Sequence, residues 1–529
     1  MKQYTLKKIM PFLALSFATV FLFQNCSAVK FSGIGSVPIL ANLISNNSGN
    51  GGTYDGKLRI LHHYVDNFTC EGRNQPEAIL IRNNTGAWNL IQNKIDRCGD
   101  RAGVPVNDVT YDDTIQKAQY DGKIFVAPKP YYVSATEPAN LPDTNLLDGV
   151  CEDVNGKCSL LAATQQAGTT TSTIPVIVQV PAGTFNLSGP LDIKFLNSPN
   201  SVTVRGADPA QSIIDAKGVT NHFNLSGGGA VSFENLTFIN GNNSAMKSAS
   251  VINLLAYSAQ SYAGTINILN CHFKNNDGNP VLFIPTVMGK TTISKSIFDS
   301  NGKGSISTEG NHITMTDSTI MNERYTAFIA SAAYSTIIMR NSSILNSDGA
   351  GVIIDNCYDC VLENVSIYGN KGGGLNLTIT APATKHMNPT VNNSTIYNNA
   401  INVGNNLSLY FTDPTSKLIL NNSIIAINDT AKFNCTNVYG QVNTIVATNS
   451  LFDDASCLQQ GTGNISGKPN LLPAAMNGGL TPTLSPAIGS PVIDAGDNLT
   501  CASQDQRGFS RPVSRSLPAR CDIGAVELQ

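Results

Sequence analysis

The sequence has few charged residues and no surplus of either sign. Lys and Arg number 34 and Asp and Glu number 37 among 529 residues, so 13% of the chain is charged and the net charge is −3. Proteins that bind nucleic acid or anionic lipid electrostatically carry a basic surplus. We therefore expect no nucleic-acid partner, and the length together with 45 glycines indicates a globular or solenoid protein.

Helical periodicity is scarce in the middle of the chain. Apolar and polar residues alternate there with a period of two, as in Ile266/Ile268, Ile313/Met315 and Leu418/Leu420. This spacing is typical of strands. A leucine-rich repeat is excluded, because the segments are rich in Ile, Asn, Ser, Thr and Gly and have no helical return segment.

One short phrase recurs nine times between residues 231 and 454. It has alternating apolar residues, usually an asparagine, then a small residue, then a closing Ile or Phe. The closing residues are Phe238, Phe273, Phe298, Ile320, Ile344, Ile367, Ile396, Ile425 and Phe452. Strand phrases at this period predict an all-β fold, a parallel β-helix whose strands stack rung on rung.

The asparagine of the phrase precedes a corner of the rung. Asparagine tolerates the left-handed backbone conformation, and stacked asparagines can form a hydrogen-bonded ladder. The predicted ladder contains Asn235, Asn270, Asn341, Asn364, Asn393, Asn422 and Asn449. Lys295 and Asp317 hold the same position in two copies, and we expect them to break the ladder.

The N-terminus predicts export. Lys2, Lys7 and Lys8 precede an apolar run over residues 11–23, which is too short to be a reliable membrane span. Cys26 follows directly, so residues 1–25 resemble a bacterial lipoprotein signal, with a plain secretory signal as the alternative. We expect a lipid anchor on Cys26, a flexible tether over residues 26–56, and display at the bacterial outer membrane or cell surface or, alternatively, secretion.

Residues 57–145 predict a small β-rich module. The single tryptophan, Trp88, lies here, and a core role is favoured over a sugar-binding platform. His62 and His63 are adjacent on a predicted strand and point to opposite faces, which makes a metal pair unfavourable.

Twelve cysteines agree with an oxidising compartment. With Cys26 set aside, the predicted local disulfides are Cys70/Cys98, Cys151/Cys158, Cys357/Cys360, Cys435/Cys457 and Cys501/Cys521. A redox or metal motif is the alternative for Cys357 and Cys360. Cys271 is left over and is predicted to be a buried thiol.

Two blocks flank the repeats. Asp148-Gly149, Cys151, Cys158 and Ser159-Leu160 resemble the CSLREA-type motif that precedes β-helices in bacterial surface proteins. We expect residues 146–168 to cap the first rung with a short helix over 159–166 that starts at Ser159. Segments 174–187 and 202–206 resemble the opening rungs of right-handed, pectate-lyase-like β-helices, so the β-helix is expected over 169–468.

The C-terminal block, residues 469–529, resembles the end of choice-of-anchor Q domain proteins. The resemblance rests on the run from Asn477 to Asp497, Asp505-Gln506-Arg507-Gly508, Arg511-Pro512 and the run from Cys521 to Glu527. It implies a bacterial surface β-helix without supplying a reaction. We expect a terminal cap in which Arg507 pairs with Asp494 or Asp522.

Calcium is the alternative role for the acidic residues of this block. The candidate ligands are Asp494, Asp497, Asp505, Asp522 and Glu527. The cap is favoured, so no cofactor is expected.

No catalytic set is recognisable. Glycan hydrolases of this fold usually carry Asn-Thr-Asp, Asp-Asp, Gly-His-Gly and Arg-Ile-Lys motifs, and the set is absent here, although Asp-Asp occurs at residues 112–113 and 453–454. The charged candidates on the middle rungs are Asp299, Asp317, Glu323, Arg324, Arg340, Asp355, Asp359 and Glu363. We expect a surface module that binds polysaccharide or peptidoglycan, with a polysaccharide lyase or hydrolase as the alternative and a passive stalk as the third.

Overall fold

A computed structural model describes most of the chain from residue 59 onwards. The described residues are 59–63, 69–70, 73–74, 78–82, 87–92, 104–112, 117–126, 129–146, 150–169, 176–195, 201–243, 248–254, 264–284, 289–309, 312–380, 387–399, 404–413, 415–428, 432–437, 445–457, 459–513 and 518–529. The predicted signal, Cys26 and the tether lie outside them. Within the described residues, no helix has the length and hydropathy needed to cross a membrane.

The chain divides into two compact units at Ala127/Pro128. The first contains β1 (Arg59–His63), β2 (Thr69–Cys70), β3 (Arg73–Asn74), β4 (Ala78–Arg82), β5 (Trp88–Gln92), β6 (Val104–Val106), β7 (Thr110–Asp112), β8 (Lys117–Tyr120) and β9 (Lys123–Val126). Seven of these form an antiparallel sheet in the order β6-β5-β4-β1-β9-β8-β7. Trp88 is 9% exposed and packs with Leu61, Leu80 and Phe125, so the tryptophan is part of this unit's core.

The second unit begins with β10 (Lys129–Tyr132), then α1 (Leu160–Thr169), β11 (Val176–Val180), β12 (Gly183–Asn186) and β13 (Leu191–Lys194). β10 pairs in parallel with β11. The stacked strands therefore start before residue 169, the start of the β-helix expected from the sequence, and β10 lies within residues 57–145, which were expected to form the β-rich module.

Each following rung contributes up to three strands. They are β14 (Ser201–Gly206), β15 (Ser212–Asp215), β16 (Phe223–Ser226), β17 (Ala230–Glu234), β18 (Thr237–Ile239), β19 (Ile252–Leu254), β20 (Ile266–Leu269), β21 (His272–Lys274), β22 (Leu282–Ile284), β23 (Lys290–Ser294), β24 (Ile297–Asp299), β25 (Ile306–Thr308), β26 (His312–Thr316), β27 (Thr319–Met321), β28 (Phe328–Arg340), β29 (Ser343–Leu345), β30 (Val352–Glu363), β31 (Ser366–Tyr368), β32 (Leu375–Ile379), β33 (Thr390–Asn392), β34 (Thr395–Tyr397), β35 (Leu407–Phe411), β36 (Leu418–Asn421), β37 (Ile424–Ala426), β38 (Cys435–Asn437), β39 (Ile445–Thr448), β40 (Leu451–Phe452) and β41 (Ile465–Ser466). A twelve-stranded parallel sheet runs from β12 through β18 and β29 to β41.

The predicted repeat register is confirmed. The nine closing residues all lie in the twelve-stranded sheet, and each pairs directly with the next, from Phe238↔Phe273 to Ile425↔Phe452. Their side chains are at most 1% exposed. The rings of Phe238, Phe273 and Phe298 stack, with centroids 5.0 and 4.6 Å apart. One continuous apolar core therefore runs through the rungs.

The asparagine corners adopt the predicted left-handed conformation, with φ between 43° and 55° at all nine ladder positions, including Lys295 and Asp317. Rung-to-rung bonds join Asn270 to Asn235 (2.8 Å) and Asn341 to Asp317 (3.1 Å). The expectation for Asp317 is therefore wrong, because a carboxylate can accept the amide hydrogen that an asparagine oxygen would accept.

Helix α1 packs on the first strands, as expected. The Ser159 hydroxyl accepts the N–H of Ala162 at 3.0 Å, which is an N-cap interaction. Leu160, Ala163 and Ala167 are fully buried in the core of the stack. The helix therefore covers apolar surface that an open solenoid end would expose to water.

Candidate functional site

One face of the β-helix is lined by small polar side chains. It is formed by β14, β17, β20, β23 and β26, whose residues alternate between the core and the outside. The inward residues, such as Val204, Phe233 and Ile268, are at most 1% exposed. The outward residues line a surface that we call the polar face.

The centre of the polar face is a column with one residue per rung. Its members pair directly from strand to strand and are Thr203, Ser232, Asn267, Thr292 and Thr314. All five are half-buried or exposed. Parallel strands lie about 4.8 Å apart, so a hydroxyl or amide group recurs at that interval along the column.

Ion pairs flank this column. Arg205 donates to Glu234 at 2.6 Å on the early rungs, and Arg340 donates to Glu363 at 3.1 Å on β28 and β30. Asp359 pairs with Thr336 on these strands and is exposed. Three of the sequence candidates, Arg340, Asp359 and Glu363, therefore lie on the strands that continue the polar face.

The other charged candidates lie elsewhere on the rungs. Asp299 is 9% exposed and accepts from Ser300 and from Asn322 at the end of β24. Arg324 is 3.3 Å from Asp277 at a different corner. Asp355 is on the part of β30 that pairs with β32.

Glu323 points inside the rod and is 1% exposed. Burial raises the pKa of its carboxyl to about 8. The Asp-Asp pair at 453–454 is also structural, because Asp453 accepts the N–H of Ile427 and Asp454 accepts the N–H of Asn434. The charged candidates are thus spread over several faces.

The C-terminal segment, residues 469–529, contains the most deeply buried ion pairs of the described residues. The expected pairing of Arg507 with Asp494 or Asp522 is wrong, since Arg507 pairs with Asp505 at 2.7 Å. Asp505 lies two residues before Arg507 in the same turn and is fully buried, so its carboxylate is the one in contact with the guanidinium. Sequence reasoning missed Arg511, which is buried 3.8 Å from Glu527 and donates to the carbonyls of Asp522 and Gly524.

The remaining acidic residues of the segment accept backbone N–H groups. Asp522 accepts from Asp494 and Leu528, and Glu527 accepts from Val513 and Asp522. Asp497 accepts from Leu499. Among the described residues, no group of three or more His, Cys, Asp or Glu side chains could hold a metal ion.

Four of the predicted disulfides are formed. They are Cys151–Cys158, Cys357–Cys360, Cys435–Cys457 and Cys501–Cys521. Cys271 is a buried free thiol whose pKa burial raises to about 12, so it has little thiolate character. The Cys70/Cys98 prediction involves Cys98, which lies outside the described residues.

The C-terminal segment, residues 469–529, lies along the side of the β-helix, over β29, β31, β34 and β37. The Gln506 amide donates to Ser343 at 2.7 Å and accepts from Ser366 at 2.6 Å. Thr395 accepts the N–H of Ala525, and Ile523 packs with Ile424. No local sequence pattern predicts these contacts, because they join residues about 100 to 160 positions apart.

Comparison with known proteins agrees with this architecture. The family model described as "Right handed beta helix region" matches residues 257–452. No curated protein sequence matches the chain.

Several solved structures align with the chain at low identity and low TM-score. Pectate lyase Pel9A has 14% identity and a TM-score of 0.42, covering 76% of this chain and 97% of its own. The alginate lyase AlyGC has 14% identity and a TM-score of 0.36, covering 69% of this chain and 57% of its own. A family 28 exopolygalacturonase of Yersinia enterocolitica has 12% identity and a TM-score of 0.31, covering 75% and 82%. Similarity at this level assigns no activity to the chain. The family model and the strand pairing together show that the second unit is a right-handed parallel β-helix.

Proposed function

We propose that the protein is an exported surface module that binds a glycan along the polar face. The observation that supports this function most directly is the column of Thr203, Ser232, Asn267, Thr292 and Thr314, with one polar group per rung. The rung spacing of about 4.8 Å is comparable to the length of one sugar ring in an extended chain. Consecutive sugars can therefore meet equivalent hydrogen-bonding groups.

The chemistry of the column suits binding. Hydroxyl and amide groups both donate and accept hydrogen bonds, as sugar hydroxyls do. The five side chains are uncharged, so they offer no acid and base pair across a glycosidic bond. The expected partners are therefore a polysaccharide or peptidoglycan, bound without a cofactor.

Attachment to the envelope is part of the proposal. The apolar run at residues 11–23 followed by Cys26 supports a lipid-anchored protein at the bacterial outer membrane or cell surface. Residues 26–56 would then act as a tether between the anchor and the folded units.

The test removes two hydroxyls of the column while keeping side-chain shape. We expect the Thr292→Val/Thr314→Val variant to bind at least tenfold more weakly, since each net hydrogen bond contributes about 1 kcal/mol. Affinity electrophoresis against neutral polysaccharides, acidic polysaccharides and peptidoglycan measures the change. Thr378→Val is the matched control, because Thr378 is an outward threonine of β32 on a different face. Equal binding by all three proteins, or no binding to any glycan, would contradict the proposal.

A lyase or hydrolase is the second candidate. Arg340, Asp359 and Glu363 lie on the strands that continue the polar face, which favours this alternative over a site elsewhere. The same glycans are incubated with the protein, with and without calcium, and assayed for new reducing ends and for unsaturated-uronate absorbance. Product that disappears with Arg340→Ala would establish an enzyme.

A further inference from the structure

A second surface of the β-helix is covered on both sides of a short gap. It is the outward column at the start of each strand in the twelve-stranded sheet, running Thr237, His272, Ile297, Thr319 and Ser343. On the early side, Thr237 donates to the carbonyl of Pro209 at 2.6 Å. On the late side, Ser343 donates to the carbonyl of Pro482 in the C-terminal segment. Between these contacts, Thr319 is 3% exposed, whereas the rungs of His272 and Ile297 form a gap.

The gap is a cavity of about 370 Å³. Asn270, His272, Lys295, Ile297 and Asp208 are among the residues that line it. Ile297 is 37% exposed although it belongs to a strand of the sheet. The Nε2 atom of His272 is buried and has no hydrogen-bond partner in the described part of the chain. The gap thus combines an exposed apolar side chain with the charged side chains of Asp208 and Lys295.

The covered rungs indicate which ligand chemistry this surface accepts. Asn393 accepts the N–H of Ala502 at 2.9 Å, and Asn422 accepts the N–H of Asp497 at 2.7 Å and donates to its carbonyl at 3.2 Å. The ladder asparagines of these rungs therefore bind polypeptide backbone. Asn270 holds the same ladder position in the gap and its Oδ1 and Nδ2 groups have the same chemistry.

We propose that the gap binds a short polypeptide segment of a partner protein. This peptide continues the interface that the C-terminal segment already makes with the later rungs. A small apolar side chain of the peptide covers Ile297, an acidic side chain lies opposite Lys295, and a basic one lies opposite Asp208. This site is on a different face from the polar face, so it does not depend on glycan binding.

The test selects binders from a display library of random seven-residue peptides, using the full exported protein. We expect enrichment of peptides that combine an apolar residue with an acidic and a basic one. Their affinity should fall at least tenfold for Ile297→Arg and for Lys295→Glu. Ile488→Arg is the matched control, because Ile488 is 95% exposed and lies in the C-terminal segment, and it should bind like the wild type.

Two further outcomes bear on the proposal. The Thr292→Val/Thr314→Val variant should keep full peptide affinity, which separates this site from the polar face. No enrichment, or selected peptides that bind Ile297→Arg as tightly as the wild type, would overturn the proposal. Binding of oligosaccharides to the gap, without any peptide binding, would assign the gap to a glycan. That result would also overturn the proposal.

Discussion

Glu323 occupies a position inside the β-helix that asparagine holds in neighbouring rungs. Asn276 donates to Asn301 at 3.0 Å, and Asn301 donates to Glu323 at 3.0 Å. Beyond this point, within the described residues, Glu323 Oε2 and Ser347 Oγ are buried without hydrogen-bond partners. The hydrogen-bonded column formed by Asn276, Asn301 and Glu323 inside the β-helix is therefore interrupted at Glu323. Ionising this carboxyl group is costly because it is buried.

The raised pKa of Glu323 predicts a pH dependence of stability. Its pKa is about 8 in the folded protein and 4.5 as a reference for the unfolded chain, so between these pH values the native state binds more protons. Its contribution to the free energy of unfolding must then fall as the pH rises, by about 1 kcal/mol per pH unit. Denaturant titrations at pH 5, 6.5 and 8 measure this slope.

Glu323→Gln keeps the oxygen that accepts from Asn301 and removes the titration. We expect the stability difference between this variant and the wild type to grow in the variant's favour from pH 5 to pH 8. Burial also lowers the pKa of His222 to about 4, so other groups contribute to the pH dependence of the wild-type stability. Taking the difference between the variant and the wild type removes these shared contributions. Glu152→Gln is the control at an exposed carboxylate. A difference that is independent of pH would show that Glu323 is not protonated.

At the scale of elements, the asparagine column changes partners along the stack. Asn270 and Asn341 bond to the preceding rung, and Asn364 bonds both to Asn341 of the preceding rung and to the C-terminal segment. Asn393 and Asn422 contact the C-terminal segment. The segment is held in turn by the Cys501–Cys521 disulfide, which closes a loop of about 20 residues. Closing such a loop stabilises a folded state by about 3 kcal/mol in the chain-entropy model.

We predict that Cys501→Ser/Cys521→Ser loosens the C-terminal segment. Limited proteolysis should cleave residues 469–529 faster, and the free energy of unfolding should fall by about 3 kcal/mol. The Cys151→Ser/Cys158→Ser variant is the control, since it removes a disulfide near α1 and should leave cleavage of the segment unchanged. Peptide mapping of exported wild-type protein without reduction should recover the linked pair, and two free thiols would refute the prediction.

At the scale of the whole molecule, the structure of the repeats could be predicted from the sequence, whereas contacts that occur only once could not. The register of Phe238, Phe273 and Phe298 follows from the sequence because every rung must place the same apolar position in one shared core. The prediction for Asp317 was wrong because it took asparagine to be necessary at this ladder position. The hydrogen bond from Asn341 requires only an accepting oxygen, which the carboxylate supplies. The contact between Gln506 and Ser366 spans 140 residues, and a local pattern cannot encode it.

The anchor is also a property of the whole molecule. We expect Cys26→Ala to release the protein from membranes and to abolish labelling by a fatty-acid probe, because a lipid on Cys26 is the predicted attachment. Membrane fractionation with probe labelling measures both effects. A soluble, unlabelled wild-type protein that is cleaved at another position would contradict the prediction, and Cys271→Ser is the control for labelling at a different free cysteine.

The lateral position of the C-terminal segment has a consequence for the order of folding. In the proposed exported protein, residues 469–529 follow the rungs that they cover across the membrane, so Ile424 and Leu451 face solvent until this segment joins them. A chain that stalls before Val492 and Ile523 would present these apolar side chains beside unsatisfied ladder asparagines. The later rungs therefore complete their packing only when the C-terminal segment joins them, whereas the earlier rungs do not depend on it.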